Sequence, residues 1–325
     1  MSPNCIKSHR LLSFCLAVLL AFMTTPVLAK SDKVTIGYSK LIISLPIFVA
    51  SDQGLFAKNG LDVTLEEFET AQPLMDALVS GKVDVAGYTA YAITMNASLR
   101  SKKALYYMTS LVEDASHPIS KLLVKNGSDI KSIEDLKGKR VGILPTVAYK
   151  LWMEAVLAKK GVDPADVILQ HVAPPMSVSA LESGTVDALF TNDPASAAVL
   201  KSGVGKELVT GAVVPELLGS PFPFASFNMD KAYADANPAI AAKVVKSLDD
   251  AIALINSDPA KAKKSMEKFM KDAEKPFVPF YSNPLYLPSA KFSRADLEAV
   301  MERYLSLKMI PAKLELKDMA LQAKK

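Results

Sequence analysis

Ala77-Leu78-Val79-Ser80-Gly81-Lys82-Val83-Asp84 returns 103 residues later as Ala180-Leu181-Glu182-Ser183-Gly184-Thr185-Val186-Asp187, with six of the eight positions identical. The match does not stand alone. Upstream, Ala57-Lys58-Asn59-Gly60-Leu61-Asp62 is echoed by Ala158-Lys159-Lys160-Gly161-Val162-Asp163, and Val34-Thr35-Ile36-Gly37 more weakly by Lys139-Arg140-Val141-Gly142. Three echoes in the same order, at nearly constant offset, indicate a duplicated unit of about 60 residues, larger than one βαβ unit.

Each copy reads as strand, helix, strand, helix, strand. In the first, Lys33 to Tyr38 and Leu61 to Phe68 alternate as strands around a helix from about Pro46 to Asn59. A second helix opens at Pro73 and ends at Gly81, and Val83 to Ala86 is the third strand. The second copy runs through Arg140–Leu144, a helix from about Val147 to Lys160, Val167–His171, a helix from Met176 to Ser183, and Val186–Thr191. Alternation of this kind predicts an α/β fold with a mostly parallel sheet under helices, once in each of two lobes. Ile119 to Lys125 leaves the first copy, and the segment from Pro221 to Phe227 follows the second, so the chain is expected to cross twice. The expected lobes are residues 30–118 with 227–325, and residues 119–226. Asn237-Pro238, Asp258-Pro259 and the Ser293-x-x-Asp296 box, stapled by Phe292 and Leu297, start C-terminal helices that should pack on the first lobe.

The first 29 residues are expected to be a cleaved secretory signal. Lys7 and Arg10 precede thirteen uncharged residues, Leu11 to Met23, and Val27-Leu28-Ala29 offers a small-residue cleavage site before Lys30. The run is shorter than the roughly 20 residues that span a bilayer. Both cysteines, Cys5 and Cys15, lie within it, so a mature chain of 296 residues would carry no thiol, disulfide or lipid anchor. Removing Lys7 and Arg10 leaves 36 basic against 34 acidic residues, and no basic tract is available to neutralise phosphates, which excludes nucleic acid as the expected partner. A periplasmic monomer without cofactor or metal is expected.

In open α/β sheets, guests bind beyond the carboxyl ends of the strands. The loops at those ends are Tyr38–Pro46, Glu69–Pro73 and Gly87–Tyr91 in the first lobe, and Pro145–Tyr149, Ala173–Met176 and Asn192–Pro194 in the second. Their candidate ligand-binding residues are Ser39, Thr70, Gln72, Tyr88, Thr89, Tyr91, Thr146, Val147, Tyr149, Asn192 and Asp193. These side chains suit recognition of a small polar molecule rather than chemistry on it. Several also have plain structural readings. Thr146 and Val147 either cradle an anion on backbone N–H groups or simply cap a helix. Asp193 either clamps an amine or starts a helix, and Tyr88 and Tyr91 either stack on a guest or pack in a lobe. Trp152 reads as core packing. Gly60, Gly81, Gly161 and Gly184 read as helix ends, and Asp84 and Asp187 as structural hydrogen-bond partners.

With the lobes and loops in view, the chain resembles periplasmic solute-binding proteins of ABC importers, in the branch of sulfonate, taurine, nitrate and thiamin-precursor binders. The likeness rests on Phe48-Val49-Ala50-Ser51-Asp52-Gln53-Gly54-Leu55-Phe56-Ala57-Lys58-Asn59-Gly60-Leu61-Asp62-Val63, on Ala77 to Asp84, on Ile133-Glu134-Asp135-Leu136-Lys137-Gly138-Lys139-Arg140-Val141-Gly142, and on Asp193-Pro194. The resemblance implies a type II periplasmic-binding fold, a hinge between lobes, and delivery of ligand to a membrane permease. It tilts the ligand towards a sulfonate, taurine-like or similar small anion. An aromatic or pyrimidine-type heterocycle on Tyr88 or Tyr91 also fits, since the loops carry no Arg and only Lys40 and Lys150 at their edges. A sensor accessory role is the alternative use of the same clam.

Enzyme signatures are missing. His117 and His171 are the histidines beyond the signal and form no HExxH pair, no G-x-S-x-G elbow occurs, and Gly203-Val204-Gly205-Lys206 departs from a phosphate loop. The pyrimidine-synthesising branch of this fold uses Cys and His residues that this chain does not carry.

Overall fold

The duplicated glycine and aspartate do the same work twice. A computed structural model describes residues 31–315; the signal segment and both cysteines lie outside the described residues. Gly81 and Gly184 end their helices with φ of 78° and 74°, the left-handed conformation that a β-carbon disfavours. Three residues later, the Asp84 carboxylate accepts the Thr35 backbone N–H at 2.8 Å while the Asp84 N–H donates to the Thr35 carbonyl at 2.9 Å. Asp187 repeats this with Arg140, taking its backbone N–H at 2.8 Å and returning its own N–H to the Arg140 carbonyl at 2.8 Å. The Arg140 guanidinium adds two bonds, at 3.1 and 2.8 Å, and holds the Asp187 carboxyl below the usual carboxylate range.

These clamps fix the first strand of each copy, at its middle through Thr35 and at its opening residue through Arg140. The strands are β1 (Asp32–Tyr38), β2 (Leu61–Glu67), β3 (Val85–Ala90), β4 (Leu105–Glu113), β5 (Lys121–Lys125), β6 (Arg140–Ile143), β7 (Ile168–His171), β8 (Ala188–Thr191), β9 (Gly205–Glu207), β10 (Phe222–Asp230) and β11 (Leu285–Leu287). They form two sheets, ordered β11-β4-β10-β3-β1-β2 and β7-β6-β8-β5-β9. In both, the first strand of the copy lies between and parallel to the other two. The fold is two-lobed α/β, as expected, but the sheets are mixed rather than mostly parallel. The strands added by the crossing segments run the other way: β10 is antiparallel to β3 and β4, and β5 to β8 and β9.

Two further expectations are corrected. The helix expected from Pro46 to Asn59 is two, Leu45–Asp52 and Leu55–Lys58, because Gly54 between them adopts φ of 65°. The return crossing lies before Phe222 rather than after Ser226, since β10 pairs with β4 from its first residue.

The first lobe is closed by its C-terminal helices. Along Pro238–Ser257, buried Ala241, Val244, Val245, Leu248, Ala251, Ile252 and Ile255 recur at helical spacing and pack against Leu45–Asp52, itself buried from Leu45 to Ala50. The capping box at Ser293 and Asp296 is present.

Both crossings leave the first sheet at one place, because Glu113 at the end of β4 pairs with Phe222 at the start of β10. The buried Glu113 carboxylate reaches across the outgoing segment and accepts the N–H groups of Ile119 and Ser120 at 2.7 and 2.6 Å and the Ser120 hydroxyl at 2.8 Å. Burial nevertheless pushes its pKa up to about 7, against the pull of these donors and of Lys121.

A raised folded-state value means that the folded protein retains a proton the unfolded chain has released. The stabilising contribution is therefore complete below pH 4.5, the ordinary value, and is lost as pH rises to about 7. Glu113→Gln keeps an acceptor for the hinge donors and removes the titration. Between these pH values the unfolding free energy from urea titrations should decline more for the parent than for the variant, by on the order of 2–3 kcal/mol. Parallel profiles would show that Glu113 does not titrate there.

Candidate functional site

Residues at the ends of six strands line one narrow cavity of about 30 Å³. Leu41 and Ile43 follow β1, Glu69, Thr70 and Ala71 follow β2, and Ala90 ends β3. From the other lobe come Leu144, Pro145, Thr146, Ala148 and Tyr149 after β6, Pro174 after β7, and Asn192 after β8. Parallel strands within each lobe put these loops at the same ends, which is why stretches more than 100 residues apart meet.

The inner wall is aromatic. Thr146 caps the helix Val147–Lys159, its hydroxyl accepting the Tyr149 N–H at 3.3 Å. That start orients Tyr149 and Trp152, three residues apart, onto one face, with their rings 5.1 Å apart. Trp152 then meets Phe224 of β10 at 4.5 Å between centroids, and Tyr149 meets Phe190 of β8 at 5.1 Å. Phe224 belongs to the first sheet and Trp152 to a helix of the second lobe, so the cluster bridges the lobes.

Polar groups in this wall are few. Asn192 is 1% exposed, yet neither its carbonyl nor its amide nitrogen completes a hydrogen bond within the protein. The buried Tyr149 hydroxyl beside it is in the same condition. The neighbouring Asn192 amide favours the phenolate, but only weakly, and the two groups do not satisfy each other. Tyr149 is held well above its usual pKa by burial first, and then by the carboxylates of Glu113 and Asp193.

Outside the cavity lies a wider mouth of about 390 Å³ that shares Leu41, Glu69 and Pro174 with it. Lys40 stands there, paired with Glu67 at 2.8 Å. Among the described residues, no group of three or more His, Cys, Asp or Glu side chains is arranged to hold a metal ion.

Thr70, Thr146, Tyr149 and Asn192 thus line the cavity, and the other candidate residues do not. Tyr88 is buried between Phe227 and Tyr286, its hydroxyl 2.7 Å from that of Thr109. Tyr91 donates to Ser110 at 2.8 Å, and Thr89 lies 2.6 Å from the Thr94 hydroxyl and accepts the Asn228 amide at 2.9 Å. Gln72 donates to Asp76 at 3.2 Å on the surface, Val147 is half-buried, and Ser39 is buried away from the lining. Trp152, read from sequence as core, is both core and wall. Its spacing from Tyr149 on the same helix was the available signal; Phe224 offered none, since its partner comes from the other lobe.

Asp193 is occupied elsewhere. Its carboxylate accepts the Ser196 hydroxyl and the Ala197 N–H within its own turn, and the Ser282 N–H of the first lobe at 2.6 Å. Its backbone carbonyl accepts the Ile42 N–H at 3.3 Å. It is a latch between the lobes.

Residues 28–269 match the model of the NMT1-like family. The chain belongs to that family. Among relatives of this NMT1-like chain, the nitrate/nitrite binding protein of Nostoc sp. (strain PCC 7120) is 26% identical over 241 residues, 68% of this chain and 53% of that one. The taurine-binding periplasmic protein of Escherichia coli K12 is 26% identical over 226 residues, 69% of this chain and 66% of that one. The chain spans about half the length of the nitrate-binding relative. A shorter match, 30% identical over 122 residues, reaches the 4-amino-5-hydroxymethyl-2-methylpyrimidine phosphate synthase of Schizosaccharomyces pombe and covers 38% of this chain and 34% of that one. The alkanesulfonate-binding protein of Xanthomonas axonopodis pv. citri, solved with MOPS bound, matches with a TM-score of 0.71 at 22% identity over 91% of this NMT1-like chain and 100% of that one. That likeness is one of fold.

Asp193→Ala removes the carboxylate of the latch and leaves the Ser282 N–H without its partner. It should lower unfolding stability by about 1–3 kcal/mol and, in small-angle scattering, enlarge the radius of gyration as the lobes part. An unchanged radius would mean that the aromatic bridge and the backbone bond from Ile42 to Asp193 hold the lobes together without the carboxylate.

Proposed function

We propose that this chain is the exported solute-binding component of an ABC-type importer, which encloses one small organic molecule between its lobes and hands it, unaltered, to a membrane permease. The observation that carries this reading is the convergence of six strand-end loops from both lobes on one cavity with unfilled hydrogen-bonding capacity at Asn192 and Tyr149. Membership of the NMT1-like family supports it, as do relatives named for binding nitrate and taurine. Thr70, Thr146, Tyr149 and Asn192 are the ligand-contacting residues in this reading, with Trp152 and Phe224 as the aromatic wall. The first lobe comprises residues 32–113 and 222–315, and the second residues 121–218.

Binding without turnover is favoured because Glu69 and Tyr149 are the ionisable groups among the lining residues, with no Cys, His or Lys beside them. No helix among the described residues is long and apolar enough to cross a membrane. The signal-like segment supports export to the periplasm.

Trp152 is the one tryptophan in the sequence, so its fluorescence reports the cavity wall directly. Titration of the purified protein with a panel of small anions and uncharged aromatic amides should reveal a compound that changes this emission at one site per chain. At 100 times its dissociation constant it should add about 2.7 kcal/mol to stability, and dialysis should return it unchanged. Recovery of a chemically altered compound would establish turnover and overturn the binder reading.

A further inference from the structure

We infer that Lys263 is a positioning residue for closure of the two lobes: its ammonium orients the Tyr281–Ser282 peptide of the first lobe so that the Ser282 N–H meets the Asp193 carboxylate of the second. The inference rests on the lobe-closing reading above and names what aims the latch.

Lys263 ends the helix Pro259–Lys263 and is 6% exposed. A buried ammonium is costly unless its donors are met and an opposite charge lies near. Its Nζ donates to the Tyr281 carbonyl at 2.7 Å and to the Pro279 carbonyl at 3.2 Å, where the short helix Lys275–Phe280 ends. Burial draws the Lys263 pKa below the usual lysine value, and the charge that draws it back up is that of Asp193, in the other lobe.

One peptide unit joins the two charges. The Tyr281 carbonyl faces Lys263, and the N–H of the same peptide, carried by Ser282, donates to Asp193 at 2.6 Å. In a trans peptide these groups point in opposite directions, so the peptide dipole lies between unlike charges, oxygen toward the cation and hydrogen toward the anion. Each bond polarises the peptide in the sense that strengthens the other. The Asp193 carboxylate takes its remaining bonds within its own lobe, from the Ser196 hydroxyl and the Ala197 N–H, so among the described residues Ser282 is the donor it gains from across. The same segment meets the second lobe again one residue earlier, where the Lys201 ammonium lies 3.5 Å from the centre of the Phe280 ring. Pro279 to Ser282 is thus a strip of the first lobe on which the second closes, and Lys263 holds that strip from behind.

The test is a double-variant cycle on the mature chain without ligand, so no bound molecule enters the measurement. Lys263→Met keeps the length and apolar stem of the side chain and removes the ammonium. It should lower the urea unfolding midpoint and raise the acrylamide quenching of Trp152, the one tryptophan and a buried ring of the interlobe bridge, about two-fold or more as the lobes part. In an Asp193→Asn background the same substitution should lower the midpoint by roughly half as much or less, because no buried carboxylate is left opposite. Should Lys263→Met fold poorly, Lys263→Gln keeps donors for the two carbonyls, removes the charge and should show the same non-additivity. Equal losses in both backgrounds, or a lowered midpoint with Trp152 as protected as in the parent, would make Lys263 a support of its own lobe and overturn the inference. The binder reading fails separately, on recovery of a chemically altered compound, and neither result decides the other.

Discussion

A side-chain carboxylate that grips the backbone of a central parallel strand is the constraint on which the rest of this molecule depends. Asp84 holds β1 and Asp187 holds β6 by the same pair of bonds, side chain to N–H and N–H to carbonyl. In a parallel sheet, register decides which residues stand at the strand tips, and a slip of one residue turns every side chain to the other face. Fixing the central strand of each trio also fixes its two parallel neighbours, because β1 lies between β2 and β3 and β6 between β7 and β8. The loops that follow then emerge together, once per lobe. The cavity is a consequence of that arrangement, with no need for either lobe to be specialised before the other faces it.

Holding the lobes together draws on two kinds of interaction with different consequences for motion. The aromatic bridge of Trp152 and Phe224 is broad and tolerates small shifts, since its attraction changes slowly with angle. The Asp193 to Ser282 bond at 2.6 Å is local and directional. Separation of the lobes exposes apolar rings and also frees a buried carboxylate to water, which partly offsets the loss. That balance suits a clam that opens. The hinge is constrained separately: the Glu113 carboxylate binds the outgoing crossing at Ile119 and Ser120, directly beside Phe222, where the return crossing re-enters the sheet.

Much of this architecture is legible in the order of residues because it rests on local rules repeated twice. Glycine after a helix, aspartate three positions later and alternating apolar residues all act within a few positions of one another, so two lobes, their loops and the structural role of Asp84 and Asp187 can be read before any coordinate. Direction of the added strands could not be. Nothing within Phe222 to Asp230 states that it returns antiparallel beside β3, since that is decided by where the crossing enters the sheet. Site residues divide along the same line. Thr146 and Asn192 sit at strand tips and reach the cavity because the backbone aims them there. Tyr88 and Tyr91 also stand near a tip, but their rings turn into the first lobe, where Phe227, Tyr286 and Tyr107 surround them. A loop's position follows from topology; a side chain's direction follows from the neighbours that topology brings.

Asn192 and Asp193 illustrate how recognition and closure are joined. The side chain of Asn192 is held unsatisfied in the cavity wall, while the adjacent Asp193 fastens its lobe to Ile42 and Ser282 of the other. A ligand shifts a conformational equilibrium only by the difference in its affinity for the two states. Here that difference has a physical source: Asn192 and Tyr149 come from one lobe, Thr70 and Phe224 from the other, and a guest touches both sets only while the lobes meet. The carboxylate that secures the meeting also adds to the negative field felt at Tyr149. That carboxylate stands near Tyr149 within one lobe, and closure adds to it the Ser282 N–H of the other, so the contact that secures the meeting also satisfies a buried charge.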